Sequence, residues 1–575
     1  MKITIYKIAA SAVLCLALHT ASAQNLDPTV VINKAYEGSL IKVRKPSFEM
    51  AVPDSLTRFN LDFDYLVSEK PYKGADEFNP YVLTMKPAPM VRDMKSFYLR
   101  AGAGYTLHPT LDLVWSPFGG GKFSMDVYAK HRSYVGAYKT LLRRSLSDEI
   151  WKGYDLKSEA GVNARLETAS SSWGMDVSYY GLASKDWMKQ RMYDALNVQF
   201  GVKSKPANSS YVKYDIQAAY RFAGDRLNYA SASKGKVGEH ILDVDATIGR
   251  VIGEHHRIMV DAGVDFAAYK MDTISPVVGQ VTLAPRYEFK KGRFTIDAGV
   301  RLSKTIRSAK SYEVFDAREQ IVYPDVHAYF NIIPDAMRVY AIVGGGSKLN
   351  TYASLLERNH HVDPTFAMAG ASLMNLTVER VSASLGLEGR IGSIFSYNLR
   401  AGYVNYASDL LDAVYISQNP ITGIGEYVPG VGYASYQKYF AAVDWCMLND
   451  NIRFDGNVHY DFVWGLEENS GLFMPAHLKG DVSFEYNWSR RIFAGVDCEF
   501  STARLGTSWV RLIPVGAYRE RIPGYVDLGV YFEYAVNRSF SIWAHGGNLL
   551  NMTIQRNPLY AEKGLSLTAG ICLNL

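Results

Sequence analysis

From Leu565 to the carboxyl terminus, apolar side chains occupy every second position: Leu565, Leu567, Ala569, Ile571, Leu573 and Leu575. Ser566, Thr568, Gly570, Cys572 and Asn574 lie between them. A period of two sends successive side chains to opposite faces of an extended strand. One face here is apolar and the other is small or polar. A soluble sandwich strand and the closing strand of a transmembrane barrel both satisfy that pattern. Repetition along the chain separates them.

The same unit recurs from Ser96 onward. Phe97, Leu99, Ala101, Ala103 and Tyr105 share one face. So do Val212, Tyr214, Ile216, Ala218, Tyr220 and Phe222, and then Phe294, Ile296, Ala298, Val300 and Leu302. The alternate positions are often charged, as with Lys213, Asp215 and Arg221 or Arg293, Asp297 and Arg301. A two-sheet sandwich tolerates polar outward faces but rarely repeats the unit so often in one domain.

The connections alternate in length. Tight turns are predicted near Gly119-Gly120, Ser170-Ser171, Ala207-Asn208, Gly253-Glu254, Lys291-Gly292, Pro334-Asp335, Gly392, Asn449-Asp450, Ser489-Arg490 and Asn537-Arg538. Between them run longer stretches such as Ser347 to Asn375, Ala407 to Tyr436, Ser501 to Gly524 and His545 to Lys563. Short turns at one rim and long loops at the other mark an outer-membrane barrel. The fold class is therefore all-β: a closed antiparallel transmembrane β-barrel of about 22 strands (roughly 20 to 24), Trp509 to Tyr518 being a candidate for a further hairpin. Every lipid-exposed backbone N–H and C=O needs a partner, so the strand at Ser96 to Tyr105 is predicted to pair with Gly564 to Leu575. Trp115, Trp173, Trp464, Trp488 and Trp543 lie at or near strand ends, where interfacial aromatics gather.

Residues 1–23 read as a secretory signal peptide. Lys2 and Lys7 give a positive start, Ile8 to Leu18 an apolar run, and Ala21-Ser22-Ala23 a cleavage site before Gln24. No later stretch offers ~20 consecutive apolar residues, which excludes helical spans. Hydrophobic residues make up 48% of the chain and its mean hydropathy is −0.10, as alternating lipid-facing and water-facing positions would produce. The net charge of +5 implies no nucleic-acid partner. Cys446, Cys498 and Cys572 form no disulfide framework and read as packing residues, the first and last facing inward and Cys498 outward.

Residues 24–95 carry Pro28, Pro46, Pro53, Pro71, Pro80, Pro87 and Pro89, which disfavour regular ladders. The one tidy alternation there is Phe59, Leu61, Phe63 and Tyr65. The segment is predicted to be an arm at the periplasmic mouth or in the lumen, with residues 96–575 forming the barrel.

No catalytic constellation, cofactor motif or metal site emerges. His255-His256 and His360-His361 are adjacent pairs, which in a strand face opposite sides; near connections they read as solvated loop histidines. Gly344-Gly345-Gly346-Ser347-Lys348 lacks the phosphate-loop order and reads as a flexible strand end. The inward charges mix sign, as in Arg453, Asp455 and Asp461 or Arg491, Asp497 and Glu499. A strongly selective pore would show rings of one sign, so a salt-bridged wall is the better reading.

Gly547-Asn548-Leu549-Leu550-Asn551, a loop containing Tyr560 and the alternating terminal strand resemble the carboxyl end of TonB-dependent receptor barrels. Thr29-Val30-Val31-Ile32 is similar to a TonB box, but a β-prone stretch of an extended arm is the better reading. The resemblance covers roughly Ser96 to Leu575 and implies a solute-transport barrel in the outer membrane of a Gram-negative envelope. Two features depart from the family: Leu575 stands where an aromatic residue is usual, and the globular plug has no room before Ser96. A lumen this wide then needs another filler: the arm, folded-in surface loops or another protein. Two functions follow. One is a conduit without a globular plug, passing a small-molecule solute; the other is a non-transporting scaffold in a barrel-assembly, secretion or lipoprotein-export complex. Lipid is a partner in either, and other outer-membrane or periplasmic proteins in the second.

Overall fold

A computed structural model describes residues 96–575, apart from positions 106, 119–120, 140–151, 188, 206–211, 230–233, 272–274, 308–319, 335, 365–373, 419–424, 467–470 and 511–515. Ala23, Gln24 and the arm residues Phe59, Leu61, Phe63 and Tyr65 lie outside the described residues, as do Gly119-Gly120, Ala207-Asn208 and Asp335 among the expected turns.

The strands in chain order begin with β1 (Phe97–Tyr105), β2 (Thr110–Phe118), β3 (Phe123–Ala137), β4 (Lys152–Glu167), β5 (Ser171–Lys185) and β6 (Lys189–Ser204). There follow β7 (Val212–Tyr229), β8 (Lys234–Ile252), β9 (His256–Met271), β10 (Val277–Lys291), β11 (Phe294–Arg307) and β12 (Val322–Ile333). Next come β13 (Met337–Leu349), β14 (Leu376–Ile391), β15 (Phe395–Gln418), β16 (Gly425–Leu448), β17 (Ile452–Trp464) and β18 (Leu478–Trp488). The last six are β19 (Ile492–Ser501), β20 (Arg504–Val510), β21 (Gly516–Ile522), β22 (Tyr525–Ala535), β23 (Phe540–Gly547) and β24 (Ser566–Asn574). One helix, α1 (Tyr352–Arg358), lies between β13 and β14.

Neighbouring strands pair antiparallel from β1 to β19, β19 then pairs with β22, and β24 returns to β1. The wall therefore has the expected 22 strands. β20 and β21 form a hairpin outside it, on the β19–β22 connection, so the extra hairpin suspected around Trp509 to Tyr518 does not enter the wall. At the seam Leu99 pairs with Leu573, Ala101 with Ile571 and Gly102 with Gly570. Phe97 and Leu575 exchange backbone hydrogen bonds of 2.9 and 2.8 Å. The wall thus has no free sheet edge, the condition for placing strands in lipid.

The remaining expected turns all fall at one rim, the end that also holds the start of β1 and the end of β24. The long connections lie at the other rim, called the loop end below. Leu567 and Ile571 point outward and are exposed, whereas Ser566, Thr568, Cys572 and Asn574 are buried inside. Outward apolar runs such as Val212 to Phe222 on β7 and Leu242 to Ile252 on β8 are each about as long as the 9 to 11 residues a tilted strand needs to cross a bilayer. Strands β15 and β16 have 24 residues each, far beyond that requirement, and continue past the band at the loop end.

The main apolar core is inside the cylinder. Leu182, Tyr193, Ala223, Val237, Ala267 and Tyr269 of the wall pack with Tyr352, Leu355, Leu356, Val362 and Met374 of the β13–β14 connection. Of the three fillers a wide lumen could have, a folded-in loop is present.

Candidate functional site

The inner wall is lined with ion pairs of both signs. Arg286 on β10 lies between Asp261 on β9 (2.6 Å) and Asp297 on β11 (2.7 Å). Arg301 pairs with Asp325, Arg257 with Glu288, Arg338 with Glu388, and Arg400 with Asp444. His459 and Lys438 share Asp461. Each of these cations faces a carboxylate on its own or a nearby strand, so among the described residues the lining is a salt-bridged surface of both signs, as its sequence suggested.

At the loop end the β13–β14 connection turns into the barrel. Thr351 caps α1, its hydroxyl accepting from the Ser354 amide at 3.2 Å, and Leu355 and Leu356 face the wall. Past α1 the chain is held by two cations of β6. Arg191, fully buried, donates to Asp225 (3.0 Å), to the carbonyl oxygens of His360 and Val362, and to the Tyr352 hydroxyl (3.2 Å). Tyr352 in turn donates to Asp225 at 2.5 Å, and burial keeps its phenol well above the usual range, so it stays a donor. Lys189 donates to the His361 carbonyl (3.0 Å) and pairs with Asp363 (3.1 Å). Glu239 accepts from the Ala353 amide at 3.2 Å, and Tyr229 donates to Asp363 at 3.0 Å.

Three further connections meet at this end, one on the segment itself and two through Asp412. Tyr560, from the β23–β24 connection, stacks on His361 with ring centroids 3.5 Å apart and donates to Asp186 at 3.0 Å. Asp412 on β15 pairs with Arg358 of α1 (3.6 Å) and with Arg504 of β20 (2.8 Å). The β17–β18 connection is tied in through the Phe473 amide, which donates to the Asp412 carbonyl at 2.9 Å. Between α1 and strands β6 to β9 lies a cavity of about 250 Å³, lined by Asn197, Gln199, Arg221, Asp243, Asp265 and Glu357. The site is thus an inserted segment held against the inner face of the 22-stranded wall at its loop end.

Solved structures with this wall exist. The FrpB iron transporter from Neisseria meningitidis superposes with a TM-score of 0.61 over 84% of this chain and 81% of its own, at 9% identity. The siderophore receptor PirA from Acinetobacter baumannii gives 0.57 over 83% and 80%, also at 9% identity. The Serratia marcescens hemophore receptor HasR, solved with its hemophore and heme, gives 0.56 over 84% and 81% at 11% identity. The fold is a TonB-dependent-receptor-like barrel. No protein-family model and no curated relative matches the sequence.

Within this receptor-like barrel Leu567, Ala569, Ile571 and Leu573 lie in β24 opposite Tyr105, Ala103, Ala101 and Leu99, and Leu575 bonds to Phe97, whereas Leu565 precedes the strand. Of the two histidine pairs, His255-His256 is exposed beside a turn as expected and the second pair departs from expectation. His360 and His361 are not solvated: side-chain exposures are 14% and 11%, His360 pairs with Asp155 at 3.0 Å, and burial together with nearby cations holds the His361 imidazole well below its usual value. The long connection that carries them folds inward, which a local pattern does not reveal. Gly344 to Ser347 is no loose end either. It runs within β13 across a bulge, and a side chain at Gly345 would come within 3.0 Å of the Arg380 carbonyl. Trp115, Trp173, Trp464 and Trp488 face outward as expected, but Trp543 is buried inside beneath Arg100, whose guanidinium is 4.3 Å from its ring. Among the described residues no cluster of three His, Cys, Asp or Glu is placed to hold a metal ion.

Proposed function

We propose that this chain is an outer-membrane conduit for a polar solute, narrowed at its loop end by the inserted segment around α1. The observation that carries the reading is the buried clamp of Lys189 and Arg191 on the carbonyls of His360, His361 and Val362. A segment held by charge-assisted bonds to one side of a polar lumen restricts passage yet can be withdrawn without breaking the wall. Paired wall charges favour a hydrated, weakly ion-selective path over a filter. The fold shared with the iron, siderophore and hemophore receptors supports transport as the class of function.

The test is conductance of the purified full chain in planar bilayers, before and after replacing residues 352–363 by a Gly-Ser linker. Small or rare openings should become large and steady. Silence from both proteins would remove the conduit reading. In its place would stand a scaffold in an outer-membrane complex, which the projecting β15–β16 pair and the β20–β21 hairpin beside it favour. Pull-down of other outer-membrane proteins through those hairpins would support that second reading.

A further inference from the structure

The cavity beneath α1 has a chemistry of its own, separate from the clamp. It lies on the turn side of Lys189 and Arg191, since Asn197 and Gln199 follow them along β6 toward that rim. Three of its lining residues, Thr351, Ser354 and Glu357, are spaced by three along the cap and body of α1 and share one face of the helix. The other side is the wall. Ala219 on β7 stands opposite Gln199 on β6 and Asp243 on β8, and Asp243 stands opposite Asp265 on β9. Gln199 and Glu357 are exposed, so the cavity opens into the lumen while the segment stays inserted.

Size and polarity define what it can hold. A volume of about 250 Å³ lies below the ~300 Å³ at which pockets for drug-sized ligands begin, and leaves room for one small ring. Apolar contact is limited to Ala219, Ile241 and Leu349, because Tyr220 turns its ring outward and its hydroxyl meets His240 at 2.8 Å. An aromatic or aliphatic guest would find no surface to lie on. The polar groups mix donors and acceptors. Gln199 offers an amide with no side-chain partner among the described residues. The Thr351 hydroxyl accepts from the Ser354 amide at 3.2 Å and keeps its hydrogen to donate. Arg221 is engaged by Glu357 at 3.2 Å and by Asn197 at 2.6 Å. The other charged lining groups are Lys348, Asp243 and Asp265, one cation to two carboxylates. Several hydroxyls on a ligand match the amide and hydroxyl groups, and an ammonium gains from the extra carboxylate. A carboxylate on the same ring is disfavoured.

We propose that this cavity binds a single hexosamine ring, and that the bound sugar holds the inserted segment against the wall. Withdrawal of α1 takes Thr351, Ser354 and Glu357 with it, so the sugar binds the inserted state alone. A ligand that binds one of two states favours it by 1 + [L]/Kd, about 11-fold at ten times Kd. The inference rests on the reading of α1 as part of a segment that can be withdrawn.

The experiment uses the full chain at pH 7 in a detergent without a sugar headgroup. Glucosamine, glucose and glucuronate, a cationic, a neutral and an anionic ring of similar size, are titrated by calorimetry. Glucosamine should bind roughly tenfold more tightly than glucose, and glucuronate more weakly than either. Ala219→Phe, which fills the cavity without removing a polar group, should abolish binding. Asp243→Asn should keep glucose binding and lose most of the preference for glucosamine. At ten times its Kd, glucosamine should slow exchange of the Ala353 and Leu355 amides by about 11-fold in the native protein and leave Ala219→Phe unchanged. Absence of glucosamine binding, equal binding of the three sugars, or native-strength binding in Ala219→Phe would overturn the proposal, and so would unchanged exchange at that concentration. Heat-dependent gel migration reports whether Ala219→Phe folds; if it does not, the sugar series and the exchange measurement on the native protein decide. Conductance without sugar tests the conduit separately. A silent protein that still binds glucosamine and protects α1 removes the conduit reading alone, and a conducting protein that binds no glucosamine removes this inference alone.

Discussion

Replacing Arg191 by Met isolates the clamp on the inserted segment. Methionine fills a similar volume but offers no donor, so Asp225, two carbonyl oxygens and the Tyr352 hydroxyl lose a shared cation in a site closed to water. Breaking a buried ion pair from one side costs about 3–5 kcal/mol, because the abandoned carboxylate stays desolvated. With the segment withdrawn the same groups can hydrate, so nearly all of that cost falls on the inserted state. At 1.4 kcal/mol per factor of ten, insertion weakens by about 150- to 5,000-fold. The readout is the frequency of open events in planar bilayers, which rises by that factor even where the closed state still dominates. Hydrogen exchange supplies a second measure, since the Ala353 amide bonds to Glu239, the Leu355 amide to the Thr351 carbonyl and the Asn359 amide, at the end of α1, to the Leu355 carbonyl. Their protection should fall by the same factor while wall amides keep theirs. Asp225→Asn, which keeps an acceptor and loses the charge, should give a smaller effect of the same sign. Unchanged opening and unchanged exchange in Arg191→Met would refute the clamp.

Other perturbations probe the wall and the segment separately. The inserted segment should loosen on acidification: His361 has a lowered pKa when buried and an ordinary value near 6.5 when withdrawn, so its contribution is full above about pH 6.5 and is lost as pH falls below it. His361 faces Asp186, Lys189, Arg191, Lys157, His360 and Tyr560; the drop is measured by exchange of α1 amides, and His361→Phe should flatten it. Gly570→Val should impair closure, because a Cβ there would come 2.6 Å from the Gly102 Cα and closer still to the Ala101 carbonyl; the check is loss of heat-dependent gel migration. Leu385→Arg, on the lipid face of β14, should cost about 2–4 kcal/mol in urea unfolding from lipid if it lies near the bilayer midplane. Brominated lipid should quench a protein left with Trp464 and Trp488 alone, and leave one with only Trp543 bright.

The wall was legible because its rule is local. Alternation within eleven residues reports which face meets lipid, and a turn such as Lys291-Gly292 or Ser489-Arg490 carries its own signature; Gly292, Ser489 and Arg490 do adopt positive φ. Closure followed from backbone accounting, which requires the first strand to meet the last. The constriction was not legible, because nothing in Tyr352 to Asp363 specifies whether the connection bends out to water or in to the lumen. Its partners Lys189, Arg191 and Asp225 are separated from it by more than 120 residues of sequence. Trp543 misled because end-of-strand position was weighed without its parity, and Ile542 holds the outward place.

Inside, Arg286 is met by two carboxylates and Arg301, Arg257 and Arg400 by one each, so these positions offer no excess of either sign. Selectivity then falls to a place where buried cations of the wall are spent on backbone carbonyls of another part of the chain. Lys189 and Arg191 are that place: their donors are engaged by carbonyls of 360–362 and by Asp363 and Asp225, and withdrawal of the segment would bare two cations and two carboxylates at once. An anionic solute that engages the two cations would compete with the segment for them. Such a solute should therefore open the conduit it enters, by differential affinity for the withdrawn state, whereas a neutral solute of equal size should not. Open-event frequency in the presence of citrate against that in an equal concentration of glucose, at fixed ionic strength, measures the difference, and equal frequencies would show that the clamp is structural alone.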